Sequence, residues 1–209
     1  MDGKKPILDG IVNLEEYFKS GIKILWILKE PYDKNDEGAY EWYLNKLLND
    51  TSKVPTLGGL KTTWYPIVYT SYAILNGFQF YNDLEYIDKD PTMLEIFKKI
   101  AVINVQKFPA RTTSNNREIS AAYKAHSHIL LEQIKTYNPD IVIGGNTMGN
   151  FIEDLGLNNK NKGYDEYDYW FKEKKLYIHA GHPAVRRGYE AKEAYVNDIV
   201  RIAKKHFGK

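Results

Sequence analysis

Three short apolar runs, each rich in β-branched residues, most constrain how this chain can fold. They cover residues 22–28, 100–105 and 140–144, and each is bordered by charged or turn-forming residues. Short runs without alternation of polar residues are typical of strands that are buried on both faces of a sheet. The sequence therefore predicts a central sheet that is covered on both sides.

Segments with helical periodicity lie between and after these runs. Pro91 behind Asp90 predicts a capped helix start, and Leu94 and Phe97 follow it on one face. A longer helix and a last helix, which begins at about Glu190, each show apolar residues every three to four positions. The residues that mark these two faces are Ile119, Tyr123, His126, Leu130 and Ile134, and then Ala191, Tyr195, Ile199 and Ile202.

Strands that alternate with helices pair in parallel through right-handed crossovers. Residues 167–171 and 176–180 flank a charged tetrapeptide and predict a hairpin before the last helix, whereas residues 158–163 are predicted to form a polar loop. We predict one α/β domain over residues 1–209, a three-layer α/β/α sandwich with a short, mainly parallel central sheet. A functional site in such a sheet lies outside the carboxyl ends of the strands.

The composition excludes several classes of chemistry. The chain has no cysteine, so disulfides, thiolate zinc sites, iron–sulfur clusters and cysteine nucleophiles are absent. No apolar stretch approaches the roughly 20 residues of a membrane helix, and the first residues lack the apolar core of a secretory signal. We therefore expect a cytoplasmic protein with no membrane partner. A net charge of +2 is too small to indicate nucleic acid by itself.

Three different polar groups follow the predicted strands. Glu30 comes after the first strand, Asn104 ends the second, and His182 follows the second strand of the hairpin. Together they offer a carboxylate that activates water, an amide that reads a base edge, and a donor for developing negative charge. Each also has a plainer interpretation: an exposed charge, an amide that satisfies strand-end backbone, and a turn-capping imidazole.

Other polar groups are less specific. The turn at residues 144–149 could hold a phosphate on its amides, but it lacks a P-loop lysine and the spacing of a dinucleotide fingerprint. His126 and His128 point to different faces of a helix, and His179 and His182 lack an evident third ligand, so no metal and no cofactor are predicted.

Four motifs in this order resemble the uracil-DNA glycosylase superfamily. They are Ile24-Leu-Trp-Ile-Leu-Lys-Glu-Pro-Tyr-Asp33, Ala101-Val-Ile-Asn104, Asp140-Ile-Val-Ile-Gly-Gly-Asn146, and Ile178-His-Ala-Gly-His-Pro-Ala-Val-Arg-Arg187. The resemblance extends from about residue 22 to the C-terminus. The match is that of a divergent member, because Glu30 stands where the best-known branch has aspartate and Asp33 where it has histidine. The absence of cysteine excludes the branches that hold an iron–sulfur cluster.

The resemblance implies a role for each matching residue. Glu30 would orient the attacking water and stabilise the cationic sugar, and His182 would donate to the departing base. Tyr32 would exclude a 5-methyl group, and Asn104 would read the Watson–Crick edge. The DNA contacts would be Arg111, Arg117, Arg186 and Arg187. The candidates for an aromatic residue that stacks on the base are Tyr40, Trp42 and Trp64.

The implied activity is hydrolysis of the N-glycosidic bond of uracil, or of a related deaminated or damaged base, in DNA that presents the base flipped out of the stack. The implied partner is single- or double-stranded DNA, and a monomer is expected. Two alternatives stay open: a non-catalytic member of the same fold that binds nucleic acid or a nucleobase, and a hydrolase of free nucleosides. The arginines that follow His182 argue against the last, since a free nucleoside needs no wedge.

Overall fold

A central sheet organises the part of the chain that the computed structural model describes, residues 5–31, 43–56, 60–109, 115–163, 167–185 and 189–208. The strand order is β1-β3-β2-β4-β7-β6-β5. The strands are β1 Gly10–Ile11, β2 Ile24–Leu28, β3 Ile100–Asn104, β4 Ile141–Gly145, β5 Asn161–Lys162, β6 Asp168–Lys172 and β7 Lys175–Ala180.

The four inner strands, β3, β2, β4 and β7, pair in parallel, and the outer strands β1, β6 and β5 are antiparallel. Every residue of β2, β3 and β4 is buried. The predicted α/β class with a mainly parallel sheet is therefore confirmed. The predicted hairpin is also confirmed, as β6 and β7.

Helices cover both faces of the sheet. They are α1 Leu14–Lys19, α2 Leu44–Asn49, α3 Tyr65–Leu75, α4 Asn116–Tyr137 and α5 Tyr189–Phe207. Alternate residues of each parallel strand point to opposite faces. Trp26 and Val102 pack with α3 and α5 on one face, whereas Ile27 and Ile103 pack with α4 on the other. The result is the predicted three-layer sandwich.

Two sequence predictions change in detail. The helix after Asp90 is the 3₁₀ helix Pro91–Lys99, whose start is capped because the Asp90 carboxylate accepts from the Thr92 amide at 3.1 Å. The segment predicted as a polar loop, residues 158–163, is wrong in part because it contains β5, which pairs with β6 through Asn161 and Lys162. Two residues are too short a strand to show an alternating pattern.

The N-terminal segment runs antiparallel along the outer edge of β3. The Ile7 amide donates to Lys107 O at 2.6 Å, and the Val12 amide donates to Ile100 O at 3.2 Å. Between them, Gly10 has φ +140°, and a Cβ there would lie 2.4 Å from the Tyr137 hydroxyl of α4. Only glycine fits this conformation and this close approach.

A helix that crosses a bilayer is long and predominantly apolar. None of the helices within the described residues has the length and apolarity that this requires.

Candidate active site at the carboxyl ends of the parallel strands

The parallel register brings the predicted site strands to one edge of the sheet. Leu28 of β2 lies opposite Asn104 of β3, and Gly145 of β4 lies opposite Ala180 of β7. Glu30 follows β2 by two residues, and His182 follows β7 by two residues. Neighbouring strands are about 4.8 Å apart, so the ends of β3, β2 and β7, which carry or lead to the three residues, lie within about 14 Å of one another along this edge.

Gly145 lies where the end of β2 meets the His182 loop. A Cβ on Gly145 would lie 3.2 Å from Leu28 Cδ2 and 3.2 Å from Pro183 Cδ. Both contacts are tighter than ordinary van der Waals separation. The absence of a side chain at this position therefore lets the chain segments that carry Glu30 and His182 approach each other.

The turn after β4 strengthens this convergence. The Asn146 amide donates to Ala180 O at 2.8 Å, and the Thr147 hydroxyl donates to Ile27 O at 2.8 Å. The turn at residues 144–149, a candidate phosphate site in the sequence, therefore uses these groups to bind the neighbouring strands.

His182 is poised as a neutral hydrogen-bond donor. Its Nδ1 accepts from the Ala184 amide at 3.2 Å, which leaves the proton of a neutral imidazole on Nε2. Burial, and then the positive charge of Lys29, lower the pKa of His182 to about 4. An uncharged imidazole with a fixed tautomer can therefore donate to a developing anion at neutral pH.

Glu30 is half-buried, and its Oε2 atom is shielded from solvent. The preceding residue, Lys29, is 8% exposed and donates from Nζ to Asn116 Oδ1 in the first turn of α4 at 2.9 Å. Lys29 was not recognised in the sequence, because a lysine after a strand is normally a solvated charge. Its burial beside Glu30 adds a fixed positive charge to the site.

Asn104 occupies the predicted strand end, and both its backbone and its side-chain nitrogen contact the carboxylate of Asp9. Asn104 is 2% exposed. Its backbone N–H donates to Asp9 Oδ2 at 2.7 Å, and its side-chain Nδ2 lies 3.4 Å from the same oxygen. The structure therefore places Asn104 at the predicted edge of the sheet and gives it a buried carboxylate partner.

Asp9 belongs to a buried polar cluster, which we call the Asp9 cluster: Asp9, Asn104, Lys107, Gln133 and Tyr137. Lys107 Nζ lies 2.7 Å from Asp9 Oδ1 and donates to Gln133 Oε1 at 3.0 Å. Gln133 Nε2 donates to Asp9 Oδ1 and to the Tyr137 hydroxyl, each at 3.2 Å. The side chains of Asp9 and Lys107 are 1% and 11% exposed. Burial lowers the pKa of Lys107, and Asp9 opposes that shift.

The remaining predicted residues fall into two groups. Arg117 lies in the first turn of α4 and is exposed. A phosphate contact requires exposure, but most arginines of any protein are exposed, so this position does not distinguish the two interpretations. Trp64 is 8% exposed and packs edge-on against Phe97 at 5.8 Å, which makes it a core residue and not an open stacking platform. Outside the described residues lie Tyr32, Arg111, Arg186 and Arg187, together with Tyr40 and Trp42.

Within the described ranges, there is no group of three or more histidine, aspartate or glutamate side chains that could hold a metal ion.

Comparisons with known proteins leave this site to be judged from its own geometry. Neither protein-family models nor curated proteins match the sequence.

Proposed function

We propose that this chain is a DNA glycosylase that hydrolyses the N-glycosidic bond of uracil, or of a related deaminated or damaged base, in DNA. The observation that carries the proposal is the close approach, at Gly145, of the end of β2, which leads to Glu30, and the loop that carries His182, whose imidazole is a neutral donor. The motif order and the roles implied by the family resemblance support the choice of substrate.

The reaction requires charge to develop in two places. As the C1′–N bond breaks, the sugar gains positive charge and the base leaves with the electron pair as an anion. Glu30 is the anionic group that stabilises the sugar cation, and it accepts the proton from the water whose oxygen bonds to C1′. His182 donates from Nε2–H to a carbonyl oxygen of the departing base.

The charges around Glu30 and His182 support these two roles. Lys29 adds positive charge on the side where an anion departs, and it disfavours protonation of His182. A neutral donor stabilises an anionic leaving group by a hydrogen bond without losing its proton to it. The proposed phosphate contacts are Arg111, Arg117 and the two arginines that follow His182 in the sequence.

The direct test uses oligonucleotides that carry a single uracil, hypoxanthine or xanthine, in single- and double-stranded form. After incubation with the protein, abasic sites are cleaved and the products are resolved by length. Abasic product is the expected result. Binding without product would support the non-catalytic alternative, and turnover of free nucleosides without action on DNA would support the nucleoside hydrolase. Either outcome would contradict the proposal.

The depressed pKa of His182 predicts the acid limb of the pH profile. An ordinary histidine is mostly protonated at pH 5.5, but His182 is expected to stay neutral down to about pH 4. Base release in single turnover should therefore show no ionisation near pH 6.5 that is attributable to this histidine. The Lys29→Met variant should move the limb due to His182 to higher pH, because the positive charge is gone. A limb at pH 6.5 in the unsubstituted protein would contradict this assignment.

A further inference from the structure

The proposed base-reading residue, Asn104, belongs to the Asp9 cluster, which ties together three segments that are distant in sequence. Asp9 comes from the N-terminal segment, Asn104 and Lys107 from the end of β3, and Gln133 from α4. Asp9 Oδ2 accepts from the Asn104 backbone amide at 2.7 Å and lies 3.4 Å from Nδ2 of the same residue. One carboxylate oxygen therefore contacts both nitrogens of Asn104.

An ionised carboxylate has only acceptor atoms. An amide beside it is therefore stable with its nitrogen toward the carboxylate, since the reverse orientation would bring two electronegative oxygens together. Lys107 Nζ contacts both oxygens of Asp9, at 2.7 and 2.9 Å, and forms a buried ion pair with this carboxylate. The preference is imposed in a buried setting, where electrostatic interactions are screened little.

The strand order shows toward which side of β3 the oxygen of the Asn104 side chain points. β1 and the segment that carries Asp9 lie on one side of β3, and β2, which leads to Glu30, lies on the other. With its nitrogen toward Asp9, the Asn104 amide carries its oxygen away from the outer edge of the sheet.

We infer that Asp9 is a positioning residue that fixes the side-chain amide of Asn104 in one orientation, so that its oxygen is the acceptor offered to the base. This inference rests on the proposed function and deepens it. An acceptor at this point selects bases with a ring N–H beside a carbonyl group. Deamination creates this feature, since cytosine and adenine have an unprotonated ring nitrogen where uracil and hypoxanthine have N–H.

The test removes the carboxylate without leaving a buried cation. In the double variant Asp9→Asn/Lys107→Met, the new amide can donate or accept and no longer imposes an orientation on Asn104. We expect single-turnover release of uracil to fall by about tenfold, as for one misdirected hydrogen bond, with little change in DNA affinity. The matched control is Asp140→Asn, which removes a carboxylate that accepts from the Lys23 amide at the amino end of the same sheet. Its rate should match that of the unsubstituted protein.

A double-mutant cycle separates positioning from a general structural effect. If Asp9 acts through Asn104, the double variant should lower the rate in the presence of Asn104 and lower it no further in an Asn104→Ala background. Equal factors in the two backgrounds would overturn the inference. An unchanged rate in a folded double variant would also overturn it.

A spectroscopic readout works without turnover and keeps this inference separable from the proposed function. The side-chain NH₂ resonances of Asn104, assigned by their loss in Asn104→Ala, should be protected from solvent exchange and should lose that protection in the double variant. If the protein released no base from any substrate, the proposed function would fail, and protected resonances would still support the fixed orientation. Resonances that exchange equally fast in both proteins would overturn the orientation, whether or not the protein is active.

Discussion

Replacing Glu30 with glutamine should lower the rate of base release by about 10³-fold and leave the fold and the affinity for DNA intact. Glutamine has nearly the same shape, but it cannot accept the proton of the attacking water or stabilise a sugar cation by charge, and such groups contribute about 10²- to 10⁴-fold. Single-turnover excision from a uracil oligonucleotide measures the effect. Circular dichroism and DNA-binding titration test the fold and the affinity.

Two further variants sharpen this prediction. Glu153→Gln changes an exposed carboxylate that has no role in the proposed mechanism and should leave the rate unaltered. Glu30→Asp keeps the charge and shortens the side chain by one methylene, so it should be more active than Glu30→Gln. If Glu30→Gln and Glu153→Gln gave the same rate, Glu30 would have no part in base release and the proposed role would be wrong.

Asp9→Ala should lower the free energy of unfolding by about 3–5 kcal/mol, the range found when one partner of a buried ion pair is removed. The reason is that Lys107, with its side chain 11% exposed, would be left as a buried cation without its carboxylate partner. Urea denaturation followed by tryptophan fluorescence measures the change.

The control for this second prediction is the exposed pair of Glu15 and Lys19, whose side chains are 73% and 66% exposed. Glu15→Ala should change the free energy of unfolding by less than about 1 kcal/mol, because exposed pairs are screened by solvent. Adding Lys107→Met to Asp9→Ala should restore part of the lost stability, since no buried charge then remains. A loss below about 1 kcal/mol in Asp9→Ala alone would show that the buried pair contributes little.

The sequence predicted the strands that position the site because these strands are buried on both faces. Residues 24–28, 100–104 and 141–145 contain almost only apolar residues, and this composition indicates a parallel inner strand directly. The carboxyl ends of such strands meet at one edge, so the convergence of the segments that carry Glu30 and His182 followed from topology alone. The helix faces of α4 and α5 were equally readable, because one side of each packs on the sheet.

Other elements were not readable, for physical reasons. α3, with the sequence YPIVYTSYAIL, is buried on most sides and rich in β-branched and aromatic residues, so it shows neither helical periodicity nor helix-forming composition. β1 has two residues, and its partner in β3 is about 90 positions away in the chain. No local pattern identifies either element.

The limits of sequence reasoning are most evident at Asp9 and Lys29. An aspartate before a glycine predicts a turn, and only the tertiary structure shows that Asp9 contacts Asn104, 95 positions away. A lysine after a strand predicts a solvated charge, and only packing against α4 shows that Lys29 is buried. In both cases the functional interpretation depends on partners from other segments.

The outer edge formed by β5 also affects whether the sheets of two molecules can pair edge to edge. This strand has two exposed residues, and Lys162 forms an ion pair with Asp168 of the neighbouring strand at 2.8 Å. An incoming strand would find few backbone groups to pair with there, because the edge strand is so short. Growth of the sheet from one molecule into the next is therefore disfavoured at this margin, which lowers the tendency to aggregate.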